Sequence, residues 1–508
     1  MARTQLSPRR TQAFCTCALL AAIVACNGPG TPSTPEEQAL LVKQGLVVLS
    51  NGTAEYSYPY GVVIDGDGGQ RSEEVAFSIY NVGQVDLSVF AVQLSSGDTA
   101  DFDLDCSDLP DTVSSLDAGE FRICFDPLSG MGARTAKVSI STDDPDEPVF
   151  TFTVKGYGMR RIAAADGSAG DGFGRSVSVD GDTVIVGAGG AAYVFYRNQG
   201  GADNWGQVKK LDGGNGFGDP VAVGGDAAMV GGQTNSDRVY LFYRDVGGAD
   251  NWGADTIDSI YGGTLSHFGD SIGVEADTLA VGAPLAEDGF GQGFVRVFYR
   301  EPGNIWGLIK ELTSSDSGVQ HFFGRTVALS GDTIMVGQAS IYASSREVFF
   351  YYRDLGGANQ WGEAKKFTVS DAGAIALSGD LAVVGDDDES AVYIYGRNTG
   401  GADNWGLVKT ITSDDHMFGR SVALSGDTLV AASWFEGEDW YYHGAVHVFG
   451  RNQGGTDNWG LIKRLFRQES GSAGDFGASL AVQGDTVLIG TPWYDPDGGI
   501  GSVYIWEP

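Results

Sequence analysis

Arg197 to Leu211 reads RNQGGADNWGQVKKL, and the phrase returns in recognisable form from Arg244, Arg300, Arg353, Arg397 and Arg451. Each copy sets a tryptophan in the same place: Trp205, Trp252, Trp306, Trp361, Trp405 and Trp459. Between copies runs a second phrase, FGRSVSVDGDTVIVG from Phe173 and FGRSVALSGDTLVAA from Phe418. Self-similarity at a period of roughly 20–50 residues marks a solenoid, propeller or array. Such repetition decides a scaffold and leaves the activity open.

Working outward, the Gly-Asp turn or its equivalent recurs at Asp182, Asp226, Asp277, Asp332, Asp380, Asp427 and Asp485. Each unit reads as four strands. Strand A (Ser176 to Val179 in the first) meets a two-residue turn that favours positive φ. Strand B is TVIVG, strand C is AAYVFYR, and the Gly-Gly-Ala-Asp-Asn loop leads to strand D, WGQVKKL. Strand B is almost wholly apolar, as a strand covered on both faces should be. The seventh unit ends at strand C, Ser502 to Trp506, while a strand-D-like piece, Arg160 to Ala163, precedes the first unit. The expectation is an all-β seven-bladed β-propeller over 159–508, closed by its N-terminal strand so that no edge is left open. In that order the A–B and C–D loops share one face, monotonous from unit to unit. The B–C loops and D–A links share the other, which varies, and variable loops on a rigid scaffold are where ligand contacts are expected.

The chain is 508 residues long, more than one ordinary core organises. Its 77 glycines beside 42% hydrophobic residues suit short strands and tight turns. With 32 Lys+Arg against 66 Asp+Glu, the formal charge is −34, so nucleic-acid backbones are repelled and no nucleic-acid partner is expected. The ordinary reading of that charge is solubility.

Arg3, Arg9 and Arg10 followed by the apolar Ala13 to Ala25 read as a signal peptide over 1–25. Ile23-Val24-Ala25-Cys26 resembles a bacterial lipobox, which makes Cys26 the lipid anchor of a cell-envelope or outer-membrane lipoprotein. The membrane is then met through lipid alone, since no later run reaches the length of a span. Residues 26–44, with Pro29, Pro32 and Pro35, read as an extended tether. Cys106 and Cys124 remain as an even pair in an oxidising compartment, the setting for a disulfide.

Residues 45–158 carry no repeat. Alternating runs begin at Val75, Leu87, Glu120, Thr135 and Val149 with turn residues between them, the pattern of an Ig-like β-sandwich. The Asn81-Val82-Gly83 turn before Leu87, and Phe125-Asp126-Pro127, Asp144-Pro145 and Gly156-Tyr157-Gly158, resemble bacterial choice-of-anchor D modules of the HYDIN type. That resemblance implies a spacer or adhesion module.

Phrases such as FGRTVALSGDTIMVG from Phe323 resemble bacterial FG-GAP repeats, relatives of the integrin α-subunit propeller. The resemblance spans 159–508 and implies the propeller and a recognition role. The fifth unit departs from it, reading Ala372-Gly373 where Phe-Gly is expected. Only the third keeps Gly282-Ala283-Pro284, and no unit holds the Asp-x-Asp-x-Asp-Gly calcium loop.

Three B–C loops are long. They offer Phe290 in the third unit, Trp434, Phe435, Trp440, Tyr441, Tyr442 and His443 in the sixth, and Trp493 and Tyr494 in the seventh. Exposed aromatics beside carboxylates anchor protein partners and suit sugar rings. These are the candidate ligand-binding residues, and packing of the loops on one another is the competing reading. Asp495 and Asp497 alternate as in a calcium loop and are the calcium candidates. The periodic tryptophans follow the fold and are read as packing. The functional expectation is a secreted or surface-anchored, non-catalytic binding or adhesion protein for a protein or carbohydrate ligand. The alternative is a carbohydrate-active enzyme, a polysaccharide lyase or hydrolase, on the same face.

Overall fold

The computed structural model describes residues 40–507 except 45–46, 50–54, 65–73, 127–131, 214–215, 233–236, 254–258, 262–265, 286–291, 316–321, 339–345, 435–443, 467–474 and 494–498. The signal peptide, Cys26, Phe290, Phe435, Trp440, Tyr441, Tyr442, His443, Tyr494, Asp495 and Asp497 lie outside the described residues. Among the described residues the secondary structure is all β, apart from one 3-10 turn at Thr99–Asp101. The chain divides into two compact units, one largely N-terminal and one comprising Gly158–Pro508 with two short upstream segments.

In the N-terminal unit one sheet runs Val47–Val48, Leu40–Gln44, Val75–Asn81, Ala118–Phe125 and Phe102–Asp105. A second holds residues 149–157 of the strand Val149–Ile162, with Gly132–Thr142, Leu87–Gly97 and Thr112–Val113. Alternation aims Phe77 and Phe121 inward from the first sheet, and Phe77 meets Phe152 of the second at 5.2 Å between ring centroids. Two readings are corrected here. The folded part begins inside the expected tether, because Leu40–Gln44 pairs with Val75–Asn81. Cys106 and Cys124 are not bonded to each other. Cys124 is 1% exposed and lies opposite Asp103, three positions from Cys106. At about 3.3 Å per residue that offset exceeds the roughly 7 Å Cα separation a disulfide spans.

In the C-terminal unit, sheet one is Ser176–Asp180, Thr183–Ala188, Ala191–Tyr196 and Gly206–Asp212, paired antiparallel in order. Sheets two to six repeat the plan over 217–261, 271–312, 323–369, 374–412 and 421–466. The last sheet has Ser479–Gln483, Thr486–Thr491 and Ser502–Trp506, and its fourth strand is Met159–Ile162, with Arg160 opposite Ile505. Inner strands pack on their sequence neighbours, and Ser176–Asp180 packs on Ser479–Gln483 as well. Strand B is buried throughout in six of these sheets, as its apolar sequence requires.

Two sets of polar contacts join consecutive sheets. On the monotonous face, Trp252 Nε1 donates to the Tyr196 hydroxyl at 2.8 Å, Trp306 to Tyr243 at 3.0 Å and Trp405 to Tyr352 at 2.8 Å. Arginines reach back beside them: Arg244 to Thr183 Oγ1, Arg300 to Asp226 and Arg353 to Thr278 Oγ1. Arg197 closes the series onto Thr486 Oγ1 at 2.9 Å and onto Glu507. On the other face, a hydroxyl at the start of strand A donates to a backbone carbonyl in the next Phe-Gly segment. Ser271 to Gly324, Ser421 to Gly477 and Ser479 to Gly174 are examples, the last joining sheet seven to sheet one.

The tyrosine is not universal. Gly396, Gly450 and Glu507 stand where Tyr352 and Tyr196 stand elsewhere, and the buried Nε1 atoms of Trp459 and Trp205, on the sheets that follow Gly396 and Glu507, have no hydrogen-bond partner. Removing the hydroxyl from Tyr352 recreates that lapse. Tyr352→Phe is expected to cost about 1 kcal/mol and lower the melting temperature by about 2 °C, read by calorimetry. Tyr299, 40% exposed and without such a bond among the described residues, is the control: Tyr299→Phe should leave the melt unchanged.

Candidate functional site

The residue after each Phe-Gly pair enters strand A on the diverse face. Counting back from the Gly-Asp turns, these positions are Arg175, Asp219, Asp270, Arg325, Gly373, Arg420 and Ala478. Strand pairing fixes the fifth: Ala374 lies opposite Gly385 as Thr326 lies opposite Gly337. The sequence reading was therefore one residue out in this unit. Ala372 holds the glycine position and Asp371 the phenylalanine position, and the Ala372 carbonyl accepts from Thr326 Oγ1 at 3.0 Å.

These side chains sense one another around the unit. Burial pushes Asp219 up to about 6, with Asp270 adding to the rise and Arg175 opposing it. Burial also raises Asp270, against His267 and Arg325, and His267 Nδ1 lies 3.2 Å from its carboxylate. Acid therefore gathers at sheets two and three.

Sheets four to seven hold a cavity of about 730 Å³, lined by Arg325, Gly373, Arg420 and Ala478 together with Phe322, Arg346, Asp371, Asp387, Asp388, Met417 and Trp434. Its origin is local. Gly373 and Ala478 are too small to fill the mouth, and the fifth unit sets the carboxylate of Asp371 where the others bury a ring. Arg346 binds Asp371 at 2.7 Å, and the Ala372 and Gly373 N–H groups donate to Oδ1 of Asp371. Burial and the neighbouring Asp387 hold the Asp371 carboxyl above its ordinary range, with Arg346 opposing. Arg420 binds Asp387 at 2.8 Å and lies 3.6 Å over the Trp434 ring, whose buried Nε1 has no partner. Arg325 is exposed and makes no ion pair among the described residues.

Of the aromatic candidates, Trp434 lines this cavity and Trp493 does not. Trp493 is 53% exposed and carries Arg175 at 4.6 Å over its ring. Both described tryptophans of the diverse face thus stack on an arginine from the post-glycine position. The arginines and Asp371 were missed in the sequence, although aligning each unit from its Gly-Asp turn would have found them. Among the described residues no group of three His, Cys, Asp or Glu side chains could hold a metal.

Asp219 makes the electrostatics testable. Its raised value means the neutral form suits the fold, so its contribution to stability is full below about pH 4 and is lost as pH rises through about 6. Asp219→Asn should melt a few degrees above the parent at pH 8 and level with it at pH 4. An equal difference at both pH values would count against the assignment.

A family model described as FG-GAP repeat matches residues 159–202, 306–346 and 459–506. No protein of curated function matches the sequence. Among solved structures, apo AztD from Citrobacter koseri is 7% identical with a TM-score of 0.34, covering 86% of this chain and 100% of that one. The periplasmic gluconolactonase of Pseudomonas aeruginosa is 12% identical with a TM-score of 0.35, covering 74% and 96%. A protein of unknown function from Porphyromonas gingivalis is 17% identical with a TM-score of 0.18, covering 25% of this chain and 49% of that one. These likenesses are too distant to argue from. The matched segments fall on sheets one, three, four, six and seven, so the C-terminal unit contains FG-GAP repeats, carried on the successive four-stranded sheets of a β-propeller-like fold.

Proposed function

We propose that this chain is an exported surface protein that binds a protein or carbohydrate ligand on the diverse face of a seven-bladed propeller, without chemistry. Residues 159–162 close that propeller, an Ig-like module serves as spacer, and lipid on Cys26 holds the chain to a membrane. The observation that carries the reading is the cavity at sheets four to seven, where Arg325, Arg420 and Trp434 meet on a scaffold otherwise occupied with holding its sheets together. Concave sites with a few fixed polar groups and an aromatic wall are the usual form of a recognition site. The monotonous face supports the same view, because its arginines bind neighbouring turns and strands.

One observation favours the second reading, a carbohydrate-active enzyme. Asp371 is held above the ordinary carboxylate range beside Asp387, and a raised acid next to a second carboxylate is what a glycoside hydrolase needs.

The test pairs a glycan array with a polysaccharide-degradation screen on the full chain. Binding without turnover, weakened at least about tenfold by Trp434→Ala combined with Trp493→Ala, is expected. Turnover that persists through purification and disappears in Asp371→Asn would replace the first reading by the second.

A further inference from the structure

We infer that the cavity at sheets four to seven is selective for a uronic-acid sugar, a pyranose bearing one carboxylate, with Arg325 as the carboxylate's partner. The inference rests on the binding reading and specifies its ligand. The argument is charge accounting within one cavity. Arg346 faces Asp371 at 2.7 Å and Asp388 at 3.9 Å, and Arg420 faces Asp387 at 2.8 Å. Those two guanidiniums are already neutralised. Arg325 lines the same space with no ion pair among the described residues, and the carboxylate that feels its charge, Asp270, lies outside this lining. A guanidinium with no direct ion pair can take one carboxylate, in the forked geometry that makes Arg–carboxylate pairs short and directional.

The remaining walls decide what carries that carboxylate. A polyanion or an acidic peptide would bring further negative charge against Asp371, Asp387 and Asp388, on a chain whose formal charge is −34. A uronate brings a single charge surrounded by neutral hydroxyls. Those hydroxyls can donate to Asp388, whose side chain is largely exposed. Residues 373 and 478 supply the room. Side chains as large as the arginines of sheets four and six at those positions would fill the space a ring needs.

The test is calorimetric titration of the full chain with methyl galacturonoside and with neutral methyl galactoside at low salt. The uronoside should bind at least about tenfold more tightly, and rising salt should narrow the gap as charge is screened. Arg325→Gln, an exposed substitution that should leave the melt unchanged, is expected to abolish the preference while methyl galactoside binds as before. Ala478→Leu should weaken both sugars by filling the cavity. Equal affinity for the two sugars, an unchanged preference in Arg325→Gln, or displacement of the uronoside by an oligoglutamate peptide at equal concentration would each overturn the inference. If neutral glycans bind and lose affinity with Trp434 and Trp493, the binding reading stands and only its anionic specificity fails. If no glycan or protein binds at all, both fall.

Discussion

Six of the junctions between successive four-stranded sheets bring backbone against backbone, at Gly187, Gly231, Gly282, Gly337, Gly385 and Gly490, and that closeness constrains the repeat more than any side chain does. A Cβ on Gly187, at the end of strand B in sheet one, would sit 1.8 Å from the Gly218 carbonyl of sheet two. A Cβ on Gly490 in sheet seven would sit 2.1 Å from the Gly174 carbonyl of sheet one. Glycine is required there by approach, whatever its conformational cost. Once those backbones touch, the Ser or Thr hydroxyl at the start of strand A reaches the next sheet's carbonyl, and the phenylalanine beside the glycine is driven into its own sheet. Phe173 shows the result, edge-on to Tyr193 and Phe195 at 5.5 and 5.9 Å. The most repeated letters of the sequence are the letters of this joint.

Chemistry is divided between the two faces in consequence. On the monotonous face each arginine is tied to an aspartate or threonine of a neighbouring strand or turn, and five of the six tryptophans beside them are buried despite a left-handed backbone, as at Trp205 with φ 47°. A bulky residue holds that conformation only where packing enforces it. Substitution there is paid for in stability. On the diverse face the joint ends at the glycine, and the next residue is free to be Arg, Asp, Gly or Ala.

The architecture was legible because the joint repeats. The four-strand units, the apolar strand B and the pairing of 160–162 with the last strand C could all be read from self-similarity. Outside the repeat the reading was weaker. Leu40–Gln44 looked like tether because prolines precede it, yet its alternating side chains complete a sheet edge. Cys106 and Cys124 looked paired by elimination, and strand register keeps them apart. Within the site, Trp434 was found because it is aromatic in a long loop. Arg325, Arg346 and Arg420 were not, because an arginine beside a repeat motif looks like part of the motif until three-dimensional neighbours reveal which ones are unpaired. Asp371 escaped for a sharper reason: aligning on the nearest glycine shifts the fifth unit by one residue and hides an acid in a phenylalanine's place.

Sheets five and six carry several departures from the repeat. Asp371 replaces the buried ring, Ala372 the close-approach glycine and Gly396 the latch tyrosine of sheet five. In sheet six Ala432 stands where strand B elsewhere ends in glycine, and a Cβ on Gly477 would meet it at 2.6 Å. Each change weakens a local device, and Trp459 Nε1 is left without its acceptor. Of those on the diverse face, Asp371 lines the cavity that Arg325 also lines. Local rules are broken where function asks for something the scaffold does not. A carboxylate facing an arginine in a space built for a buried phenyl ring is a poor way to hold two sheets together and a good way to hold a polar ligand. The physical case for a recognition site at sheets four to seven therefore rests on the repeat itself, because the surrounding units state what each position would have been.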